Sequence, residues 1–256
     1  MKIFKGYLWL YITLILANFI PIYTELPFES YNYGKLIPEI LSNPIIYQFN
    51  FLYIFSKIII VLLFLLPIIL KNSFRRIFSI ISAVMLFFII LFQNMSGQTS
   101  YGFTILFSNI AIQLIIVIAF IVEIVKPKID FSNIKLKWWN IITIILAFFA
   151  FWMPARGGKI YFNVLDLISN EACLTFCMII PIIISILLMY ENKNIRLIKI
   201  ISIIGIYYGI LNQITWFILN REYWWMGIVH LPLLINSIIG FIITKGKRNS
   251  ACHPVA

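Results

Sequence analysis

The chain has 256 residues, 62% of them hydrophobic and only 11% charged, with a formal net charge of +11. An ordinary soluble domain is about 45–50% apolar and about 25% charged, so this composition excludes a water-soluble globule and specifies a polytopic membrane protein. Three cysteines, Cys173, Cys177 and Cys252, do not make a disulfide framework.

A crossing helix needs about 20 mostly apolar residues. Runs of that kind lie at 6–22, 49–70, 76–93, 102–125, 138–153, 172–190, 197–219 and 223–244. The first follows Lys2 and Lys5 in the manner of a secretory signal. Its exit, ANFIPIYTELP, has no small-x-small cleavage pattern, so it reads as a retained span. The expected fold class is an all-α polytopic membrane protein, a single transmembrane domain over 1–256 with eight transmembrane helices. Residues 246–256, with Cys252 and His253, read as a mobile cytoplasmic tail.

An even number of crossings puts both termini on one face, and the basic residues identify that face, because cytoplasmic loops hold the excess of Lys and Arg. Fifteen of the twenty lie on the side of the N-terminus, four lie opposite (Lys35, Arg156, Lys159 and Arg221), and Lys57 is deep in a span. Both termini are therefore expected to be cytoplasmic, in a multi-pass protein of the cell membrane. The basicity is an insertion signal and an attraction to anionic headgroups, and no nucleic acid is expected as a partner.

The outer connections run long, short, long, short (23–48, 94–101, 154–171, 220–222), a pattern that recurs after four helices. Laying 71–93 over 191–213 without a gap pairs Asn72 with Asn192, Arg76 with Arg196, Ser82 with Ser202 and Gln93 with Gln213. Two parallel four-helix repeats, 1–125 and 138–256, are the expected internal organisation.

Ionisable and amide side chains inside the spans are the candidate site. Lys57 continues a stripe with Asn50 and Tyr53 at spacings of three and four. It either faces a cavity or an anionic group, or snorkels to the interface. His230 lies about 7–8 Å inward of Trp225 in the aromatic cluster Tyr223-Trp224-Trp225. It serves a substrate or proton, or it makes an interhelical hydrogen bond. Gln93 ends the third span, Asn109 and Gln113 share a face of the fourth, and Asn212 and Gln213 sit in the seventh beside a Gly205/Gly209 step. Packing is the plain use of such groups. Their concentration in one half of the membrane predicts a shared substrate-binding pocket of Lys57, Gln93, Gln113, Asn212, Gln213 and His230. The turn ProAlaArgGlyGlyLys at 154–159 reads as a tight surface turn rather than an anion cradle.

No catalytic signature is present: neither HExxH, GxSxG nor GxxxxGK[ST] occurs, and no carboxylate pair lies at helical spacing in a span. No catalytic residue, cofactor or metal is assigned. The leading expectation is a small carrier or permease-type protein with an outward-facing polar pocket for a small polar or anionic solute. Its partners would be the lipid bilayer, that solute and, for energy, a separate membrane or ATPase subunit. The alternatives are an integral-membrane enzyme acting on a lipid or lipid-linked group with a histidine acid or base, and a non-catalytic membrane subunit.

Overall fold

The computed structural model describes residues 6–29 and 33–245. The expected cytoplasmic tail 246–256, with Cys252 and His253, lies outside the described residues, as do Lys2 and Lys5. The structure is about 72% helical, with no closed sheet among the described residues. Its helices are α1 (Leu8–Ala17), α2 (Tyr33–Ser42), α3 (Phe51–Leu70), α4 (Arg75–Gln93), α5 (Phe107–Val125), α6 (Trp138–Trp152), α7 (Asp166–Ser169), α8 (Phe176–Leu188), α9 (Ile195–Ile214) and α10 (Trp224–Thr244).

Among the described residues four helical stretches are long and apolar enough to cross a bilayer: Phe51–Gln93, Phe107–Val125, Ile195–Leu219 and Arg221–Thr244. A fifth is reached if Asp166–Leu174 and Phe176–Leu188, bent by 98° at Thr175, are one broken span. The protein is therefore membrane-embedded. Phe51–Gln93 has 43 residues. At about 1.5 Å per residue its ends would be roughly 60 Å apart in a straight helix. Yet Ser96 just beyond it donates to the Asn43 carbonyl at 2.6 Å. The stretch doubles back at the 3-10 turn Lys71–Phe74, which opens on Lys71 with φ +49°.

One end of the bundle carries a small antiparallel sheet of β1 (Tyr23–Thr24), β2 (Met95–Thr99) and β3 (Gly102–Ile105), in the order β1-β3-β2. Tyr23 is opposite Ile105, and Met95 pairs with the other side of Ile105. This corrects the expected start of a span at residue 102. Gly102 takes φ +72°, which closes the hairpin, and the Ser- and Thr-rich strands satisfy their backbone groups by pairing, so helix begins only at Phe107. Residues 23–48 are likewise not plain loop. Leu36 and Ile40 of α2 are one turn apart and pack with Ile22 and Leu106 in a small separate core. The acids fasten this cap: Glu39 accepts from Ser100 N (2.6 Å) and Ser100 Oγ (2.8 Å), and Glu25 accepts from Phe103 N (2.9 Å). A two-stranded hairpin, β4 (Ala155–Arg156) and β5 (Lys159–Ile160), makes the tight turn expected there, with Gly157 and Gly158 at φ +56° and +77°.

At the opposite end the linker 126–137 runs between the two helical turns. Asn72, from the α3–α4 turn, donates to Asp130 Oδ1 at 2.9 Å, and Asn192, from the α8–α9 turn, donates to Oδ2 at 2.8 Å. The linker then pairs with the end of α8: Lys135 N donates to the Met189 carbonyl and Glu191 N to the Asn133 carbonyl, both at 2.9 Å.

The centre of the bundle is α8, in which every residue except Cys177 is buried. Around it α9 and α10 approach closely because two glycines on α9 leave room. A Cβ on Gly209 would sit 2.9 Å from Leu234 Cα, and one on Gly205 would strike Ser237 Oγ. Asn236 of α10 ties the centre together, donating to the Thr143 carbonyl of α6 and the Pro181 carbonyl of α8, both at 3.0 Å.

Candidate functional site

The break before α8 organises the polar groups at the sheet end. Asn170 begins it, accepting from Ala172 N at 3.2 Å and donating to the Trp152 carbonyl at 2.6 Å, which holds the 3-10 turn Glu171–Leu174 against the end of α6. Lys57 reaches the same place from α3. It is buried (2% exposed); its ammonium donates to the Phe151 carbonyl and lies 4.4 Å from the Phe151 ring centre. Phe151 is in the last turn of α6, where unpaired carbonyls favour a cation. The amine therefore points into the protein rather than to the lipid interface. Glu171, Asp166 and Cys173 lie within electrostatic reach of Lys57, but the ion pair found among the described residues is Lys135–Glu191 at the other end.

Gln93, the last residue of α4, accepts at 2.8 Å from Phe176 N, the first N–H of α8, and so caps the half-helix. Beside it Asn94 donates to Gln113 Oε1 of α5 at 3.0 Å. The Tyr208 hydroxyl of α9 is 3.3 Å from Asn109 Oδ1, and its ring packs edge-on to Phe176 at 5.3 Å. Asn212 links this group to α8 and onward. Its Nδ2 meets Cys177 Sγ at 3.5 Å and the Tyr208 carbonyl at 2.8 Å, and its Oδ1 accepts from Trp216 Nε1 at 3.3 Å.

Trp216 in turn lies 6.3 Å from the His230 ring. His230 Nδ1 is 2.7 Å from the Met226 carbonyl, one turn back on α10. A carbonyl accepts only, so Nδ1 carries a proton; in the neutral ring Nε2 is then the acceptor, and it has no hydrogen-bond partner among the described residues. Gln213 turns away to donate to the Gly227 carbonyl at 3.3 Å, leaving its buried Oε1 unpartnered. Gln93, Asn212 and His230 are thus linked by hydrogen bonds and ring contacts through Phe176, Tyr208, Cys177 and Trp216, and Gln113 adjoins them through Asn94. Lys57 borders the same break from the α6 side, and Gln213 stands apart.

Sequence reading missed three members of this arrangement. Tyr47 is in the 3-10 turn Ile45–Gln48; its carbonyl accepts from the Tyr53 hydroxyl at 2.9 Å, and its own hydroxyl lies within electrostatic reach of Glu171 and Cys177. Tyr208 and Cys177 were passed over because tyrosine and cysteine are ordinary apolar-face residues. The i, i+4 spacing of Tyr208 and Asn212 was the available signal. A recess of about 190 Å³, lined by Ser42, Asn43, Pro44, Tyr47, Gln48 and Gln98, opens at the sheet end and reaches Tyr47 from the surface.

At the linker end Asp130 is one of the perturbed acids. Partial burial alone would raise it, but hydrogen bonds from Ser132, Asn192 and Asn72 together hold its carboxyl well below the usual carboxylate range. No group of His, Cys, Asp and Glu able to hold a metal ion occurs among the described residues.

These features define the class: a helical, multi-pass membrane protein with a buried polar network around a broken helix. No family model, curated protein or solved structure matches the chain.

Proposed function

We propose that the protein is a small carrier for a polar or anionic solute, and that its site is the break before α8. The observation that carries this reading is the placement of Tyr47. It lines the sheet-end recess, and its hydroxyl is within electrostatic reach of Glu171 and Cys177 at the break. Solute carriers build sites from discontinuous helices, whose half-helix N-termini face anionic groups. Here α8 offers its N-terminus to Gln93, with buried Lys57 nearby, and an anionic solute would take the place of Gln93 at the Phe176 N–H and of the Phe151 carbonyl at the ammonium.

The reading includes eight crossings, by α1, α3, α4, α5, α6, α8, α9 and α10, with the linker end cytoplasmic. The alternation of connections between the two ends supports the count, and the excess of Lys and Arg on linker-end segments supports the orientation. It also includes the duplication. Asn72 and Asn192, paired in the sequence alignment, take opposite oxygens of Asp130 in the linker between the halves.

The test is uptake into proteoliposomes of labelled phosphate, sulfate, acetate, lactate and glutamate by wild type, Lys57→Ala, Gln93→Ala and His230→Ala. The reading expects a solute moved by wild type and reduced at least tenfold by Lys57→Ala and Gln93→Ala. Equal uptake by all four proteins ends it. One observation favours a second reading, an enzyme acting on a lipid-linked group: the unpartnered Nε2 of His230 is a ready proton acceptor. In that case His230→Gln abolishes conversion of lipid in reconstituted membranes, while uptake of every solute is nil.

A further inference from the structure

A second recess, of about 120 Å³, lies at the linker end, lined by Lys135, Lys137, Trp139, Glu191, Lys193 and Ile243, with Asn140 at its base. Its walls are held in place. Asn140 Oδ1 accepts from Lys137 N at 2.8 Å, which caps the start of α6, and Asn140 Nδ2 donates to the Leu188 carbonyl of α8 at 2.8 Å. Lys137 lies 4.7 Å from the Trp139 ring centre, Lys193 donates to the Tyr190 carbonyl, and Lys135 pairs with Glu191. Three lysines and one carboxylate line the recess, beside the first N–H groups of a fifteen-residue helix.

An apolar track leads away from the recess. Trp138, Ile141, Ile145 and Phe148, at spacings of three and four along α6, are 69%, 56%, 61% and 54% exposed, so one side of α6 presents a continuous hydrocarbon stripe to the bilayer. A cationic hollow at a helix end, continuous with a stripe of lipid-facing side chains, matches both parts of one molecule. Basic hollows between membrane helices bind anionic lipid headgroups, and Trp at this level marks the headgroup region.

We infer that this recess binds the phosphate of an anionic phospholipid, with an acyl chain lying along α6. The lysines meet the phosphate oxygens, the α6 N-terminus adds its dipole, and Trp138 and Ile141 line the path of the chain. This inference is independent of the carrier reading, since it concerns other residues at the opposite end.

The experiment measures lipid retention by native mass spectrometry, together with thermal stabilisation, on the full chain in detergent. Phosphatidylglycerol, phosphatidylcholine and inorganic phosphate are the probes. Wild type is expected to retain phosphatidylglycerol at a concentration at least tenfold below phosphatidylcholine. The triple variant Lys135→Gln, Lys137→Gln, Lys193→Gln loses that preference, on the order of fivefold per lysine. A control of equal charge change, Arg76→Gln, Lys126→Gln, Lys128→Gln, keeps it. Equal loss in both triples assigns the effect to diffuse charge and overturns the site. Stabilisation by inorganic phosphate equal to that by phosphatidylglycerol, or no preference between the two lipids, overturns the lipid. Should the triple variant fail to fold, the three single substitutions carry the same test.

Discussion

The two long hairpins of the chain, α3–α4 and α8–α9, occupy opposite situations. In the most apolar window of Phe51–Gln93 only 28% of residues are buried within the protein, against 61% in Ile195–Leu219. The first is the more uniformly hydrophobic and the more exposed, with Ile54, Phe55, Ile58 and Ile69 all facing outward. The second carries Ser202, Gly205, Tyr208, Gly209 and Asn212, and α10 packs against it. In a bilayer the solvent is itself hydrocarbon, so unbroken apolarity suits lipid contact, as in α3, and equally the fully buried centre, as in α8. Small and polar residues mark contact between helices.

The sharpest way to break this contrast is to add volume where α9 meets α10. Gly209→Ala places a Cβ 2.9 Å from the Leu234 Cα, a backbone atom that cannot rotate aside. The two helices must separate, at a cost of about 1–3 kcal/mol, typical of overpacking. Gly97→Ala, with nothing within 4 Å of its new Cβ, leaves the midpoint unchanged in detergent-driven unfolding followed by circular dichroism. Ile69→Ala, on the lipid-facing side of α3, stays within about 0.5 kcal/mol of wild type. If Gly209→Ala were as harmless as Ile69→Ala, the close approach of α9 and α10 would not exist.

A smaller effect is expected from Asn236, which joins α10 to α6 and α8 through two carbonyls. Intramembrane hydrogen bonds average about 0.6 kcal/mol, and Asn236 Oδ1 is buried without a partner, which offsets part of the gain. Asn236→Ala should therefore lower stability by about 1 kcal/mol. The peripheral counterpart is Thr13→Ala. The exposed Thr13 hydroxyl bonds only its own helix, at the Trp9 carbonyl, and its removal leaves stability unchanged. Equal losses in the two variants would mean that hydrogen bonds at the centre and the edge of the bundle contribute alike.

The membrane class and the helical positions were legible because hydropathy reports the solvent directly. Every expected span contains a helix, although α1 and α6, of ten and fifteen residues, fall below spanning length. What was hidden has specific causes. In the sheet, Tyr23–Thr24 joins the hairpin of Met95–Thr99 and Gly102–Ile105 from about 80 residues away in sequence, a pairing that no local pattern encodes. The break at Thr175 was read as one span because Cys173, Leu174, Phe176 and Cys177 are all apolar; Asn170, which caps the 3-10 turn, was the signal available. Of the candidate site, Gln93, Gln113, Asn212 and His230 were recognisable as polar groups in apolar helices. The tyrosines that join them were not, because Tyr47 and Tyr208 look like any aromatic residue until their hydroxyls find neighbours.

Asp130 connects the exposed hairpin to the buried one, since Asn72 belongs to the first turn and Asn192 to the second. Its carboxyl is held below the ordinary value of about 3.9 in the folded chain. Depression of an acid means that the stabilisation is fully present above the unfolded value and is lost as pH falls through the folded one. Unfolding midpoints measured from pH 6 down to pH 2 should therefore drop in wild type, most steeply below about pH 4. Asp130→Asn begins from a lower midpoint at pH 6 and follows a shallower curve, because an amide has no proton to gain. The effect is small, since Asp130 is partly exposed and water screens it. It is nonetheless the variant that loosens both hairpins at once. Asn72→Ala and Asn192→Ala each remove one side of the clasp, and their losses combine less than additively if both act through the same carboxylate.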